Sequence, residues 1–108
     1  MNEGVKGEQI ASGYLLKQGY KILDKNFAAK TGEIDIIAEI SNTIIFVEVK
    51  LRNSATFGTG VEAINNKKIN KIKNTATVYM LKNNVKKSMR FDIVSIDKGK
   101  ITHITGAF

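Results

Sequence analysis

The chain has 108 residues, 17 Lys and Arg against 10 Asp and Glu, and a formal net charge of +7. That length suits one domain with one core, able to bury roughly 60–68% of its unfolded surface. The absence of cysteine excludes a disulfide scaffold, a thiol nucleophile and any Cys-ligated metal, and the lone His103 excludes a His-rich zinc site.

An apolar fraction of 43% is too high for a disordered basic tail. The longest uncharged apolar-rich run, Ser41 to Val47, is too short to cross a bilayer, and Met1 to Gly7 has no signal-peptide character. A soluble, cytoplasmic protein with no membrane association is expected. Its excess positive charge points to a polyanionic partner, nucleic acid before an anionic membrane surface.

Gly4 to Gln18 reads as a helix, with Gly4, Glu8, Ala11 and Leu15 at helical spacing and Gly19 as its C-terminal cap. Tyr20 to Ala28 reads as a strand, and Lys30-Thr31-Gly32 as a turn. Glu33 to Ile40 and Thr43 to Leu51 are rich in Ile and Val and read as strands. Asn53 to Gly60 reads as a loop, in which Phe57-Gly58-Thr59-Gly60 lacks both the P-loop and the dinucleotide-binding pattern. Val61 to Asn83 reads as a long helix with the stripe Val61, Ile64, Ile72, Ala76, Tyr79. Arg90 to Asp97 and Lys100 to Ile104 are strands joined by a turn at Asp97-Lys98-Gly99. The order α-β-β-β-α-β-β predicts a layered α/β domain.

The chemistry concentrates in the hairpin. With Ser41-Asn42 as a two-residue turn, Ile40 pairs with Thr43, Asp35 falls opposite Glu48, and Glu33 falls opposite Lys50. All four then share one face, while Ile34, Ile36, Ala38 and Ile40 with Val49, Val47, Ile45 and Thr43 form an apolar core face. Opposed carboxylates, with Cβ atoms roughly 5 Å apart, destabilise a sheet unless a cation compensates. Mg²⁺ needs only one or two carboxylates, with water and substrate phosphates completing its shell. Lys50, on the same face, could stabilise an attacking hydroxide or the charge developing on phosphorus. The plainer alternative is an exposed face of salt bridges with Glu33 paired to Lys50.

Glu8 lies on the inward stripe of the first helix, where it either meets a metal or simply suits the helix dipole. Lys68 lies between Ile64 and Ile72, positioned either to reach solvent or to meet a phosphate. Arg90 and Asp92 either support the site or pair with each other, and His103 is assigned no role.

Gly32-Glu33-Ile34-Asp35-Ile36-Ile37-Ala38, followed by Ile45-Phe46-Val47-Glu48-Val49-Lys50, resembles the YraN-like family. The likeness extends to Gly7-Glu8, Gly19-Tyr20, Asn26-Phe27, Arg52, Phe57-Gly58, Lys67-Lys68 and Arg90-Phe91-Asp92. The resemblance implies that residues 1–108 form a single restriction-endonuclease-like domain, a central mixed sheet flanked by helices. It implies that Asp35, Glu48 and Lys50 match the Asp…Glu-x-Lys signature of PD-(D/E)xK nucleases. Glu8 matches the acidic residue that the first helix often contributes in archaeal-type Holliday junction resolvases. Ala28 stands where relatives often have an Arg, and the Pro expected near Gly58 is missing.

The expected activity is therefore Mg²⁺- or Mn²⁺-dependent hydrolysis of DNA, of branched or Holliday-junction-like form. Asp35, Glu48 and Glu8 would serve the metal, Lys50 the chemistry, and Lys67, Lys68 and Arg52 the nucleic acid. The alternative is a non-catalytic nucleic-acid-binding module of the same fold. Symmetric cutting of a junction by a domain with one site would require a homodimer.

Overall fold

A computed structural model of the chain describes residues 3–52 and 65–108, with side chains at 5–51 and 65–108. The elements run α1 (Glu3–Lys17), β1 (Lys21–Ala29), β2 (Gly32–Ile40), β3 (Thr43–Arg52), α2 (Asn66–Lys82), β4 (Ser88–Asp97) and β5 (Lys100–Ile104). The order is the expected one, α-β-β-β-α-β-β. The loop expected at 53–60 lies outside the described residues, as do Val61 and Ile64. Helix α2 begins at Asn66, with Asn65 in extended backbone as its cap: the Asn65 Oδ1 accepts from Lys68 N–H at 2.9 Å. The helix start expected at Val61 is thus corrected to Asn66.

The five strands form one mixed sheet in the order β1-β2-β3-β4-β5. Only β3 and β4 are parallel, and the chain crosses between them through α2. This is the helix-flanked mixed sheet expected of a restriction-endonuclease-like core. The β2–β3 and β4–β5 turns have the two positive φ angles that a type I′ turn requires, Ser41 (49°) with Asn42 (60°) and Lys98 (52°) with Gly99 (80°). The first turn sets the β2–β3 register from Ile40–Thr43 to Ile36–Val47, as the sequence predicts.

Both sheet faces are covered, which is why β2 and β3 read as nearly continuous apolar runs. On one face, Ala11 and Leu15 of α1 pack with Tyr20, Ile36, Ala38, Ile45, Val47, Val94 and Ile96. On the other, Ile72, Ala76 and Tyr79 of α2 pack with Ile34, Ile37, Ile44, Phe46 and Phe91. Helix α1 ends in a Schellman motif, with Tyr20 N–H on Leu15 O (3.0 Å) and Gly19 N–H on Leu16 O (3.1 Å).

Ile34 corrects the expected alternation. It packs against α2, opposite to Ile36 and Ala38. The β1–β2 pairs on either side are Lys25–Ile36 and Phe27–Ile34, while Asn26, facing Asp35, adopts a left-handed φ of 54°. This irregularity turns β2 at Asp35, so Ile34 rotates with Phe27 onto the α2 face.

The β1–β2 turn is clasped to α2. Thr31 Oγ1 and Thr75 Oγ1 lie 2.7 Å apart, and Thr75 also donates to Lys71 O at 2.8 Å. Gly32 supplies the turn's φ of +146°, a conformation that L side chains rarely adopt, while a Cβ there would only touch Thr75 Oγ1 at 3.4 Å. Gly32→Ala is expected to cost about 1–3 kcal/mol, read as a lower urea midpoint at unchanged m-value.

Candidate active site

Three elements bring together Asp35 from β2, Glu48 and Lys50 from β3, and Lys68 from the first turn of α2. Glu48 is buried, its side chain 8% exposed. One of its oxygens, Oε1, lies 2.9 Å from Lys68 Nζ and 3.5 Å from Lys50 Nζ.

Asp35 is placed by a break in the sheet. The antiparallel β2–β3 ladder ends at Ile36–Val47. Hydrogen-bonded pairs alternate outward from the closing pair Ile40–Thr43, so the next would join Ile34 to Val49. Instead Asp35 Oδ2 accepts the Val49 N–H at 2.8 Å. The carboxylate thus takes over a backbone hydrogen bond at the point where β2 turns. Its Oδ1 carries no hydrogen bond from the described residues.

Register therefore does not continue to Glu33 and Lys50, and the salt bridge between them is absent among the described residues; Lys50 turns to Glu48 instead. Asp35 and Glu48 share a cleft with Gly32, Glu33, Lys68, Lys71 and Ile72. Its volume is about 250 Å³, room for several waters at roughly 30 Å³ each.

The electrostatics follow from this crowding. Burial, and then the Glu48 charge, push the Asp35 carboxyl up to about 6, with Glu8 adding to the rise and the Val49 N–H and Lys68 opposing it. Burial, and then the neighbouring Lys68, lower the Lys50 ammonium against the pull of Glu48. For Lys68, burial opposes the charge but is outweighed by its contacts with Lys50 and Glu48, so its pKa is raised. The first turn of α2 holds no acidic residue and two lysines, Lys67 and Lys68, against the preference of the helix dipole. Glu48 supplies the missing negative charge from the sheet.

Among the described residues, no three His, Cys, Asp or Glu side chains form a group able to hold a metal by themselves. The donor set instead suits a cation that brings its own shell. A carboxylate with one oxygen unbonded among the described residues, raised by burial and by a like-charged neighbour in a cleft with room for several waters, fits Mg²⁺ or Mn²⁺ held by two carboxylates, waters and phosphate.

The other residues singled out in the sequence are placed differently. Glu8 is half-buried on α1, and its Oε1 accepts from Asn26 Nδ2 at 2.9 Å. It raises Asp35 electrostatically but is not among the residues lining the cleft. Lys67 is exposed and also does not line it. Arg52 ends β3 beside Asp97, and its side chain lies outside the described residues, as does the Phe57–Gly60 loop.

Arg90 and Asp92 pair with each other on the α1 face, away from the cleft. Asp92 is fully buried and accepts from Arg90 Nε and Nη2, both at 2.8 Å, and from Gly106 N–H at 3.0 Å. His103, given no role from sequence, lies 2.7 Å from Asp92 through Nε2 and 3.0 Å from Tyr14 Oη through Nδ1.

Sequence reasoning missed Lys71 and Gly32 as cleft residues and Asn26 as the partner of Glu8. Lys71 stands three residues beyond Lys68, so extending that helical row would have found it. Asn26 gave only the weak signal of a residue that tolerates positive φ.

Over residues 7–96 the chain matches the family described as "Uncharacterised protein family UPF0102". It is 48% identical to a UPF0102 protein of Persephonella marina over 107 residues, covering 98% of this chain and 92% of that protein. It is 45% identical to UPF0102 proteins of Alkaliphilus oremlandii and Clostridioides difficile, covering 97% and 98% of this chain and 96% of each of theirs. The family match and the relatives agree, and the chain belongs to the UPF0102, or YraN, family.

Proposed function

We propose that this protein is a divalent-metal-dependent nuclease acting on DNA. The observation that carries this reading is the cleft shared by Asp35, Glu48 and Lys68, with Asp35 raised by burial and by Glu48, and with Lys50 against Glu48.

Asp35 Oδ1 and Glu48 would hold Mg²⁺ or Mn²⁺, and Glu8 would act through Asn26 or water rather than by direct ligation. When bound, the cation would lower the pKa of a water and neutralise charge on phosphate. Lys50 Nζ would stabilise the incoming hydroxide and the charge on phosphorus from its place beside Glu48. The lowered Lys50 pKa brings that ammonium closer to the range in which it can exchange a proton. Lys68 and Lys71, at the cleft, and Lys67, on the adjoining turn, would meet phosphate. Phosphate contacts position a duplex without reading its sequence, which fits a substrate chosen by shape, such as branched DNA.

Purified protein is expected to nick branched DNA in Mg²⁺ or Mn²⁺ and to stop in EDTA. Asp35→Ala and Lys50→Ala are each expected to lower the rate by about 10² or more. Undiminished cleavage by both variants would contradict the assignment.

One observation favours a second reading, a DNA-binding module without catalysis. The Glu48 charge is already met by Lys68 and Lys50 without any metal. That reading predicts binding that weakens steeply with salt, no scission, and no Mn²⁺ uptake.

A further inference from the structure

Lys68 occupies the place where positive charge is most needed. Its Nζ lies 2.9 Å from Glu48 Oε1, on a side chain 39% exposed, whereas the carboxylate it meets is 8% exposed. The same Glu48 oxygen is 3.5 Å from Lys50 Nζ. A buried carboxylate is costly without a counter-charge, so some cation must accompany Glu48 in the folded state. Lys50 is anchored on the same strand, two residues away. Lys68 arrives from a separate helix through a long side chain, with more than a third of that side chain in solvent. Of the two lysines, Lys68 is the one free to leave.

We propose that Lys68 is a displaceable counter-ion: it holds the Glu48 charge in the metal-free protein, leaves when a divalent cation is taken up, and is then free to bind DNA phosphate. This inference rests on the nuclease reading and adds its order of assembly. A divalent cation on the Glu48 carboxylate would stand close to the Lys68 ammonium, and repulsion between the two positive charges drives off the more exposed of the two lysines. Lys68 released from Glu48 remains on a cleft-lining residue of α2, next to Lys71, which already faces the cleft. Metal and DNA therefore favour each other, and by linkage the coupling is the same in both directions.

Mn²⁺ binding to the full chain, followed by electron paramagnetic resonance, tests the exchange without relying on activity. Lys68→Met removes the competing ammonium and is expected to tighten Mn²⁺ binding by roughly tenfold or more, the low end of the scale of a hydrogen bond to a charged group. Lys71→Met removes a cleft charge that makes no ion pair with Glu48, so it is expected to change Mn²⁺ affinity less than about twofold. A short DNA duplex is expected to tighten Mn²⁺ binding in the wild type and to have little effect in Lys68→Met. Equal effects of the two substitutions would reduce Lys68 to a general field contribution and overturn the exchange while leaving the metal site standing. Unchanged or weaker Mn²⁺ binding in Lys68→Met would also overturn it. No Mn²⁺ binding in any of the three proteins would overturn both the exchange and the nuclease reading.

Discussion

Asp35→Asn is expected to melt at a higher temperature than the wild type at pH 7.5 without metal, and to lose Mn²⁺ binding and cleavage. Partial burial, and then the Glu48 charge, push the Asp35 carboxyl up to about 6 in the fold from its ordinary 3.8. A raised carboxyl binds its proton more tightly in the folded than in the unfolded state. Stability from this group therefore rises as pH falls from about 6 to about 4, and its charged form is a burden above pH 6. The gap is about two pK units, or about 2 kcal/mol after allowing for solvent screening. Asn keeps an oxygen for the Val49 N–H that Asp35 now accepts, so little is lost structurally. The expected gain is about 8 °C at pH 7.5 and close to nothing at pH 4.5, where the wild-type group is already neutral. Added Mn²⁺ should raise the wild-type melting point and leave the variant's unchanged. A variant that melts lower than wild type at both pH values would show that Asp35 serves the fold rather than a site.

Asp92→Asn is expected to be the most destabilising single change among the residues considered. Asp92 has no solvent exposure and collects the Arg90 fork, the His103 ring and the Gly106 N–H. Arg90 reaches on to Tyr20 Oη at 2.8 Å, so the network ties β4 to β5, the chain after it, and the end of α1. Asparagine offers one acceptor oxygen and no charge, leaving the Arg90 guanidinium without its counter-ion. Removing one partner of a buried pair costs about 3–5 kcal/mol, here a melting point lower by roughly 12 °C or more. Burial works against the Asp92 charge, but hydrogen bonds from Arg90, His103 and Gly106 hold its pKa below the ordinary value. The stability it contributes is complete above about pH 4 and disappears as pH falls further. Thermal melts of wild type and variant should thus converge toward acid pH. A shift of only a degree or two at neutral pH would contradict the network's structural role.

The opposite slopes of Asp35 and Asp92 separate two kinds of carboxylate. Asp92 has donors enough to keep its charge; Asp35 has one backbone donor, a like-charged neighbour and an open oxygen. Fold-serving acids are held ionised by their partners, whereas a carboxylate held short of partners invites a ligand.

The hairpin was the most legible part of the chain because its information is local. Turn residues and alternation place Ile36 to Ile40 against Thr43 to Val47 without any knowledge of the rest of the fold. Asp35 and Glu48 followed by extending that register one residue beyond where the ladder ends, and Lys50 by extending it three. What was not legible depends on contacts distant in sequence. Ile34 changes face because Asn26, on another strand, takes a left-handed conformation. Glu8 turns to Asn26 across 18 positions. His103 acquires its role from Asp92 and Tyr14, 11 and 89 positions away. Periodicity does show Lys68 on a semi-apolar stripe, but only the packing of α2 on the sheet shows that a buried Glu48 waits beneath it.

The central claim is that Asp35 and Glu48 form a site for a divalent cation. A crystal soaked in Mn²⁺ and measured at a wavelength that excites its anomalous signal tests it most directly. The account predicts one anomalous peak within ligand distance of Asp35 Oδ1 and Glu48, with Lys68 Nζ withdrawn from Glu48. A cleft without such a peak, with Lys68 still seated on Glu48 in saturating Mn²⁺, would contradict it.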